Sequence, residues 1–282
     1  MSTLQLETSL SDIDFVAFDT ETTGLHPSSE RIVELAAIRF RLDAELAQFD
    51  RLIDPGVAIP PGAERVHGIR DADVRGKPSC GEILPEFAAF VEGAVLLAHN
   101  AEFDVGFLAH EAKRHGVRLP RLPVFDTVEM ARTLRPDLPN HKLETLSKAF
   151  SCQAPTYHRA LADAQTLRQV FHRLCEHMAE PKLGSLLETT TGALSFGPNE
   201  RLSMWLPPQL AALDEALSSG GRVTILYEAE GKRQDTCEIV PLGWKRRLNG
   251  TFLMARGEGE RGDRSFRLDW IKRAQHAQAS LF

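Results

Sequence analysis

The stretch Phe15-Val16-Ala17-Phe18-Asp19-Thr20-Glu21-Thr22-Thr23-Gly24 decides the fold. Four apolar residues in a row, closed by a polar run and a glycine, read as a short buried strand. Two carboxylates then stand two residues apart where the strand ends, so both project from one face. A carboxylate at the edge of a core is costly unless a cation or several hydrogen-bond donors receive it.

The same anomaly recurs twice downstream. Val95-Leu96-Leu97-Ala98 reads as another short buried strand and delivers His99-Asn100-Ala101-Glu102-Phe103-Asp104 at its end. His158-Arg159-Ala160-Leu161-Ala162-Asp163 opens a long helical pattern in which Leu161, Leu167, Val170, Phe171 and Leu174 share the inward face. One such segment is an ordinary polar strand end. Three of them, bringing Asp19, Glu21, Asp104 and Asp163 with His158, read as one site.

Around these segments the pattern is that of a mixed α/β sheet. Ile32 to Phe40 reads as a β-branched strand and Leu46 to Ile53 as a third strand, stopped by Asp54-Pro55-Gly56. Helical spacing recurs from Ile83 to Val91 and from Phe103 to Ala112, ending at Gly116. Short helices are expected over Asp126 to Leu134, with Asp126 as a cap, and over Lys142 to Phe150. The long helix is expected over Arg159 to Met178. Strands interleaved with helices place catalytic groups at strand ends.

At 282 residues the chain is long enough for two domains. With 43% hydrophobic and 26% charged residues it falls outside the disordered class. No apolar run is long enough to span a membrane, and Met1 to Ser11 lacks the layout of a signal peptide, so a soluble cytoplasmic protein is expected. Cys80, Cys152, Cys175 and Cys237 form no CxxC pair, which favours free thiols over a disulfide framework or a zinc site. The net charge of −6 is concentrated in residues 1–180, while residues 181–282 are slightly basic. That distribution argues against broad coating of duplex DNA and for local engagement of a strand end through bound cations.

Oxygen-only ligands point to two Mg²⁺ or Mn²⁺ ions rather than zinc. A metal pair of this kind stabilises both the attacking and the leaving oxygen of a phosphodiester displacement. His158 is the candidate general base near neutral pH. His99 and Asn100 are placed to shape the strand-end loop, ahead of any chemistry of their own.

These segments resemble the DEDDh branch of 3′→5′ exonucleases, most closely the proofreading (epsilon) subunit of bacterial DNA polymerase III. The likeness extends to Arg31-Ile32-Val33-Glu34-Leu35-Ala36-Ala37, Val66-His67-Gly68-Ile69, Phe125-Asp126-Thr127 and Ala164. It implies a ribonuclease-H-like α/β exonuclease domain over residues 10–178 that releases 5′-mononucleotides. Asp19, Glu21, Asp104 and Asp163 would be the metal carboxylates and His158 the base. His67 would lie near the terminal nucleotide, with Thr22, Thr23 and Leu25 lining its pocket. Thr20, Asn100 and Phe103 complete the substrate-side candidates. A glutamate that accompanies the histidine in the family is replaced by Gly62 here, with Glu64 nearby.

After Glu180 the pattern weakens, and residues 179–200, rich in Thr and Gly, read as a linker. A short helix over Pro207 to Leu217 is followed by β segments at Arg222 to Glu228, Thr236 to Val240, Thr251 to Ala255 and Ser265 to Trp270. Asn249-Gly250 supplies a hairpin turn. Ile225-Leu226-Tyr227, Val240-Pro241-Leu242 and Phe266-Arg267-Leu268-Asp269-Trp270 resemble a WYL domain, which implies a small Sm-like β-barrel over residues 201–276. The name-giving triplet is Thr251-Phe252-Leu253 here, and two of the family's arginines are Glu238 and Trp270. Lys245, Arg246, Arg247 and Arg267, with Lys272 and Arg273, are candidate phosphate contacts.

The terminal Gln278-Ala279-Ser280-Leu281-Phe282 ends residues 277–282 in two apolar groups and resembles the bacterial sliding-clamp-binding motif, with Gln278, Leu281 and Phe282 as anchors. The sequence therefore predicts a metal-dependent 3′→5′ exonuclease on single-stranded or frayed DNA ends, in replication or repair. An RNA 3′-end-trimming enzyme and a regulatory binding protein with a secondary nuclease site are the alternatives.

Overall fold

In the computed structural model, residues 6–152, 158–190, 192–196, 202–229, 233–247, 250–257 and 262–277 are described. The quoted stretch lies in β1 (Phe15–Thr22), which pairs antiparallel with β2 (Ile32–Arg41). A tight turn leads to β3 (Ala44–Leu52) at the sheet edge. Helices α1 (Pro61–His67), α2 (Asp71–Val74) and α3 (Cys80–Val91) return the chain to β4 (Val95–Ala98), which pairs parallel with β1.

The left-handed Asn100 (φ 68°) turns β4 directly into α4 (Ala101–His115), which Gly116 closes at φ 66°. Next come β5 (Val124–Asp126), parallel to β4, and the helices α5 (Thr127–Leu134), α6 (Leu143–Ala149) and α7 (Ala160–Cys175).

Side-chain alternation along β1 builds two cores. Phe15 and Ala17 face the cluster that contains Phe171, Leu167 and Leu174 of α7. Val16 and Phe18 face the opposite cluster, with Phe87 of α3 and Val105 and Leu108 of α4. The Phe171 ring lies tilted 4.9 Å from Phe15 and edge-on 6.1 Å from Phe40. The parity carries into the acidic end: Asp19 and Glu21 continue the face toward α7, while Thr20 and Thr22 continue the face toward α4.

The stretch read as a linker is built into this domain. It forms α8 (Leu183–Thr189), with Leu183 and Leu186 fully buried, and β6 (Ala193–Phe196), buried throughout. β6 pairs antiparallel with β5 and then with β7 (Leu202–Trp205). The sheet thus has seven strands in the order β3-β2-β1-β4-β5-β6-β7. Threonines and glycine flank these elements and resemble linker composition, but Leu186, Leu194 and Phe196 find partners supplied by distant parts of the chain.

A 3-10 turn at Pro208–Leu210 precedes α9 (Ala211–Ser219), and five strands follow: β8 (Val223–Tyr227), β9 (Asp235–Arg247), β10 (Gly250–Gly257), β11 (Asp263–Arg267) and β12 (Ile271–His276). They form an antiparallel sheet in the order β11-β10-β9-β8-β12. The expected strand Ser265 to Trp270 is cut at Arg267, where Leu268–Trp270 makes a 3-10 turn, and β12 is an element the sequence reading did not contain. The sheet curls strongly. Tyr227 of β8 accepts the Arg267 N–H at 3.3 Å and packs its ring 5.2 Å from Phe266, although β8 and β11 are not neighbours in the sheet. Asn249 of the expected turn lies outside the described residues, as do Gln278, Leu281 and Phe282.

The two sheets share apolar packing: Phe196, Leu213 and Leu268 belong to the same buried cluster as Leu108 and Ala112 of α4. Arg121 pairs with Asp214 of α9 at 2.6 Å across the same seam. All four cysteines are free. Among the described residues no helix is long and apolar enough to cross a membrane.

Candidate metal centre and active site

Three of the four expected carboxylates converge. Asp19 and Glu21 at the end of β1 and Asp163 in the first turn of α7 offer oxygens that all lie within 4.8 Å of one another. A register shift after Glu21 marks an irregularity in the β1–β2 pairing where the acidic face ends. Asp163 is itself fastened, because Oδ2 accepts the His158 N–H at 2.9 Å. Its other oxygen, Oδ1, is buried and has no hydrogen-bond partner among the described residues.

Asp104 approaches from the other side of the sheet. It sits on α4, so it meets the opposite parity of β1: Oδ1 accepts from both the N–H (3.0 Å) and the hydroxyl (2.7 Å) of Thr20. Its charge still reaches the cluster, raising the proton affinity of Asp19 and of Glu21. Thr20, grouped by sequence with the substrate contacts, is buried and has both its donors committed to Asp104. It therefore orients a carboxylate and does not face outward.

Unpaired carboxylates at this density resist ionisation. Burial, then the charges of Asp163, Glu34 and Asp104, push Glu21 up to about 8. Burial, followed by Asp104 and Glu21, raises Asp19 well above the usual carboxylate range. Asp104 and Asp163 are also raised, chiefly by burial, with the donors from Thr20 and His158 opposing. Hard oxygen donors without a counter-ion, one of them a buried oxygen with no partner, fit a divalent cation.

His158 is exposed and adopts a left-handed backbone (φ 63°), placing the imidazole at the start of α7 beside Asp163. His67 is buried at the end of α1. Its Nδ1 accepts the Ile69 N–H at 3.0 Å, its ring reaches the Thr22 backbone, and burial lowers its pKa. Thr22 and Thr23 are buried and shape the turn after β1. The Thr22 hydroxyl donates to the Gly24 carbonyl at 2.5 Å, and Thr23 Oγ1 accepts the Arg31 N–H at 3.0 Å. Leu25 is 74% exposed at the mouth of this turn. Phe103 is half-buried against Phe107 and Asn100 is exposed.

Asp126 is a cap, as the sequence suggested, and serves two helices at once. Its carboxylate accepts from Val128 N at 2.8 Å and from Asn100 N and Ala101 N at 3.1 Å, which ties the start of α4 to α5. His99 Nδ1 lies 3.0 Å from the Thr127 hydroxyl, and burial pushes its pKa down to about 4, so it is a neutral structural group.

Glu34 is the important residue that sequence reasoning left without a role. It is 1% exposed on β2, directly opposite Glu21 in the strand register. Its carboxylate accepts from Arg159 Nη2 (2.6 Å), Arg159 Nε (3.2 Å) and Ala160 N (2.8 Å). The available signal was a glutamate in the middle of the apolar run Ile32 to Phe40.

In the second module Lys245, Lys272 and Arg273 are exposed. Arg267 is paired with Asp269 at 2.6 Å and lies over the Trp270 ring, so its charge is already partnered. The side chains of Arg246 and Arg247 lie outside the described residues.

A mixed sheet whose central strand ends in a carboxylate cluster, with a histidine just ahead of the helix that completes it, is the arrangement of a nuclease-class site. Residues 16–171, more than half of the chain, match the Exonuclease (RNase_T) family, and the chain belongs to it. Residues 208–276 match the WYL domain family.

Over 171 residues the chain is 39% identical to the PolC-type DNA polymerase III of Halalkalibacterium halodurans, an alignment that covers 61% of this chain and 12% of that protein. It is 36% identical over 175 residues to the PolC-type enzyme of Caldanaerobacter subterraneus subsp. tengcongensis, covering 62% and 12%. The chain thus spans only a small fraction of these curated relatives. Among solved structures, E. coli Exonuclease I in complex with a dA16 oligonucleotide superimposes with a TM-score of 0.57 at 18% identity, over 94% of this chain and 63% of that one. An apo form of Exonuclease I gives 0.56 at 16% identity, over 94% and 64%. At these identities the likeness is one of fold.

Proposed function

We propose that the chain is a divalent-metal-dependent 3′→5′ exonuclease that shortens single-stranded or frayed DNA to 5′-mononucleotides. The observation that carries this reading is the convergence of Asp19, Glu21 and Asp163 within 4.8 Å, with Asp104 fastened beside them. Family membership supports the nuclease chemistry, and the polymerase relatives and the oligonucleotide-bound fold neighbour support a DNA end as substrate.

Asp19, Glu21, Asp104 and Asp163 would hold two Mg²⁺ or Mn²⁺ ions, which when bound supply Lewis-acid stabilisation of the scissile phosphate and its attacking and leaving oxygens. His158 accepts the proton of the attacking water at an imidazole nitrogen and exchanges it with solvent, its exposed position favouring both steps. The Asp163 carboxylate holds the His158 main chain at the site through the 2.9 Å hydrogen bond. Thr20 fixes the rotamer of Asp104 with two donors. Leu25 offers an exposed apolar surface to the terminal base, and the buried His67, whose pKa burial lowers, backs the Thr22 main chain of the same turn.

Parallel digestion of matched DNA and RNA oligonucleotides with Mg²⁺ tests the reading. Faster release of deoxynucleotides from the 3′ end supports it, and preferential trimming of RNA replaces it with the RNA alternative. We assign Lys245 and Lys272 of the WYL module to tracking the substrate backbone, and residues 278–282 to a sliding clamp. Loss of clamp pull-down on deleting Gln278 to Phe282, with turnover on short oligonucleotides unchanged, is the expected result for the tail.

A further inference from the structure

Two glutamates stand face to face at the centre of the acidic site. Glu21 and Glu34 are direct cross-strand partners on β1 and β2, an arrangement that like charges disfavour. Yet only Glu21 belongs to the convergent cluster. Glu34 is turned to α7, where three N–H groups close on its two oxygens: Arg159 Nη2 at 2.6 Å, Arg159 Nε at 3.2 Å and the main-chain N–H of Ala160 at 2.8 Å. The carboxylate is 1% exposed, whereas the Arg159 side chain is 48% exposed.

The helix entry that Glu34 holds, Arg159-Ala160, has site residues on both sides. His158 immediately precedes Arg159, and Asp163 lies one helical turn past it. The apolar face of α7 packs on β1 further along the helix, but at its entry the carboxylates of the cluster repel one another, so this end needs a separate anchor. His158 also holds a left-handed backbone (φ 63°), a conformation that costs a β-carbon residue about 1 kcal/mol and persists where its surroundings fix it. The neighbouring hydrogen bonds, His158 N to Asp163 Oδ2 and Ala160 N to Glu34 Oε2, close that turn from both ends.

We propose that Glu34 and Arg159 form a latch between β2 and the start of α7, a pair of positioning residues that holds His158 and Asp163 in register with Asp19 and Glu21. The bidentate geometry selects arginine, since a lysine makes a point contact and cannot engage both oxygens through a fork. Neither residue belongs to the carboxylate cluster. It sets where the helix begins, and therefore how far the base and one carboxylate stand from the strand that carries the other two. The inference deepens the exonuclease reading and rests on it for the roles of His158 and Asp163.

The test uses the full chain and four variants: Glu34→Ala, Glu34→Gln, Arg159→Ala and Arg159→Lys. Steady-state digestion of a single-stranded oligonucleotide should show kcat falling roughly 10- to 100-fold in Glu34→Ala and Arg159→Ala, the usual cost of losing an outer-shell partner. KM should stay within about twofold, because the lost interaction is not one that binds substrate. Arg159→Lys should recover part of the loss. Amide hydrogen exchange supplies a second readout: peptides covering residues 158–163 should exchange faster in Glu34→Ala, with β1 peptides unchanged.

Should Glu34→Ala fail to fold, Glu34→Gln keeps the shape and one acceptor oxygen and takes its place in both measurements. Wild-type kcat in the Glu34 and Arg159 variants overturns the latch when His158→Ala still shows its large loss of kcat, and so does unchanged exchange over residues 158–163. An inactive wild-type chain would instead overturn the exonuclease reading, with hydrogen exchange still deciding whether the latch holds the turn.

Discussion

His158 and Asp163 are bound to each other: the main-chain N–H of the histidine donates to Oδ2 of the aspartate at 2.9 Å. The base candidate and a metal-site carboxylate are thereby one structural unit, closed within the first turn of α7. Substitution at the two positions should have separable consequences. His158→Ala keeps its N–H and hence the hydrogen bond, so Mg²⁺ binding measured by calorimetry should persist. Its kcat should fall by about 10² to 10⁴, the usual contribution of a general base. Loss of metal binding in His158→Ala would show that the side chain acts on the carboxylates instead.

Removing a charge from the cluster should trade activity for stability. Asp19 is raised by burial and by its acidic neighbours, so the metal-free fold carries it at a cost. Asp19→Asn should abolish hydrolysis and stabilise the metal-free protein by on the order of 1 kcal/mol, seen as a higher Tm. Thermal melting in EDTA checks the direction, and a lowered Tm would contradict it.

The pH dependence has a definite sign. Glu21, at about 8, has a folded-state pKa above its unfolded value near 4.5. Between those values the folded, metal-free protein binds more protons than the unfolded chain, so its stability falls as pH rises and levels off above about 8. Melting in EDTA from pH 5 to pH 9 should show this fall. Added Mg²⁺ should raise Tm more at the alkaline end and release protons as it binds.

The legible part of the sequence was the part whose signal is local. Phe15 to Phe18, Val95 to Ala98 and the helix starting beside His158 combine a period with an end marker, and their acidic residues stand out against apolar neighbours. Parity along β1 was legible for Asp19 and Glu21, but not for Asp104, whose partner is Thr20 on the other face. Glu34 was hidden because a strand that opens with seven consecutive buried residues reads as core, and its donors come from Arg159 and Ala160, some 125 residues away in sequence. β6 has four residues, too few for a period, and its burial is supplied by β5, β7 and α4. The 3-10 turn Leu268–Trp270 merged with the strand before it, and β12, with Ile271 and Ala274 as its only buried residues among charged and polar ones, was left unassigned.

That misread stretch yields its own expectation. α8 and β6 cover core residues of the exonuclease domain, so a chain ending at residue 178 should melt well below the full chain and aggregate on gel filtration. Equal Tm for the two would restore the linker reading.

Core packing beneath the site sets a further scale. Phe171 fills the space between Phe15 and Phe40 and is fully buried. Phe171→Ala should cost about 3–5 kcal/mol by chemical denaturation, since the aromatic cluster can only partly collapse. A cost below about 1 kcal/mol would mean that α7 is held mainly by its polar latch and not by this face.

The convergence of Asp19, Glu21 and Asp163 on divalent cations is tested most directly by digesting a 5′-labelled single-stranded DNA oligonucleotide before and after chelation, then with Mg²⁺ restored. A ladder that shortens from the 3′ end, stops in EDTA, resumes with Mg²⁺ and is absent in Asp19→Asn is the expected result. Hydrolysis undiminished by EDTA, or retained in Asp19→Asn, would contradict it.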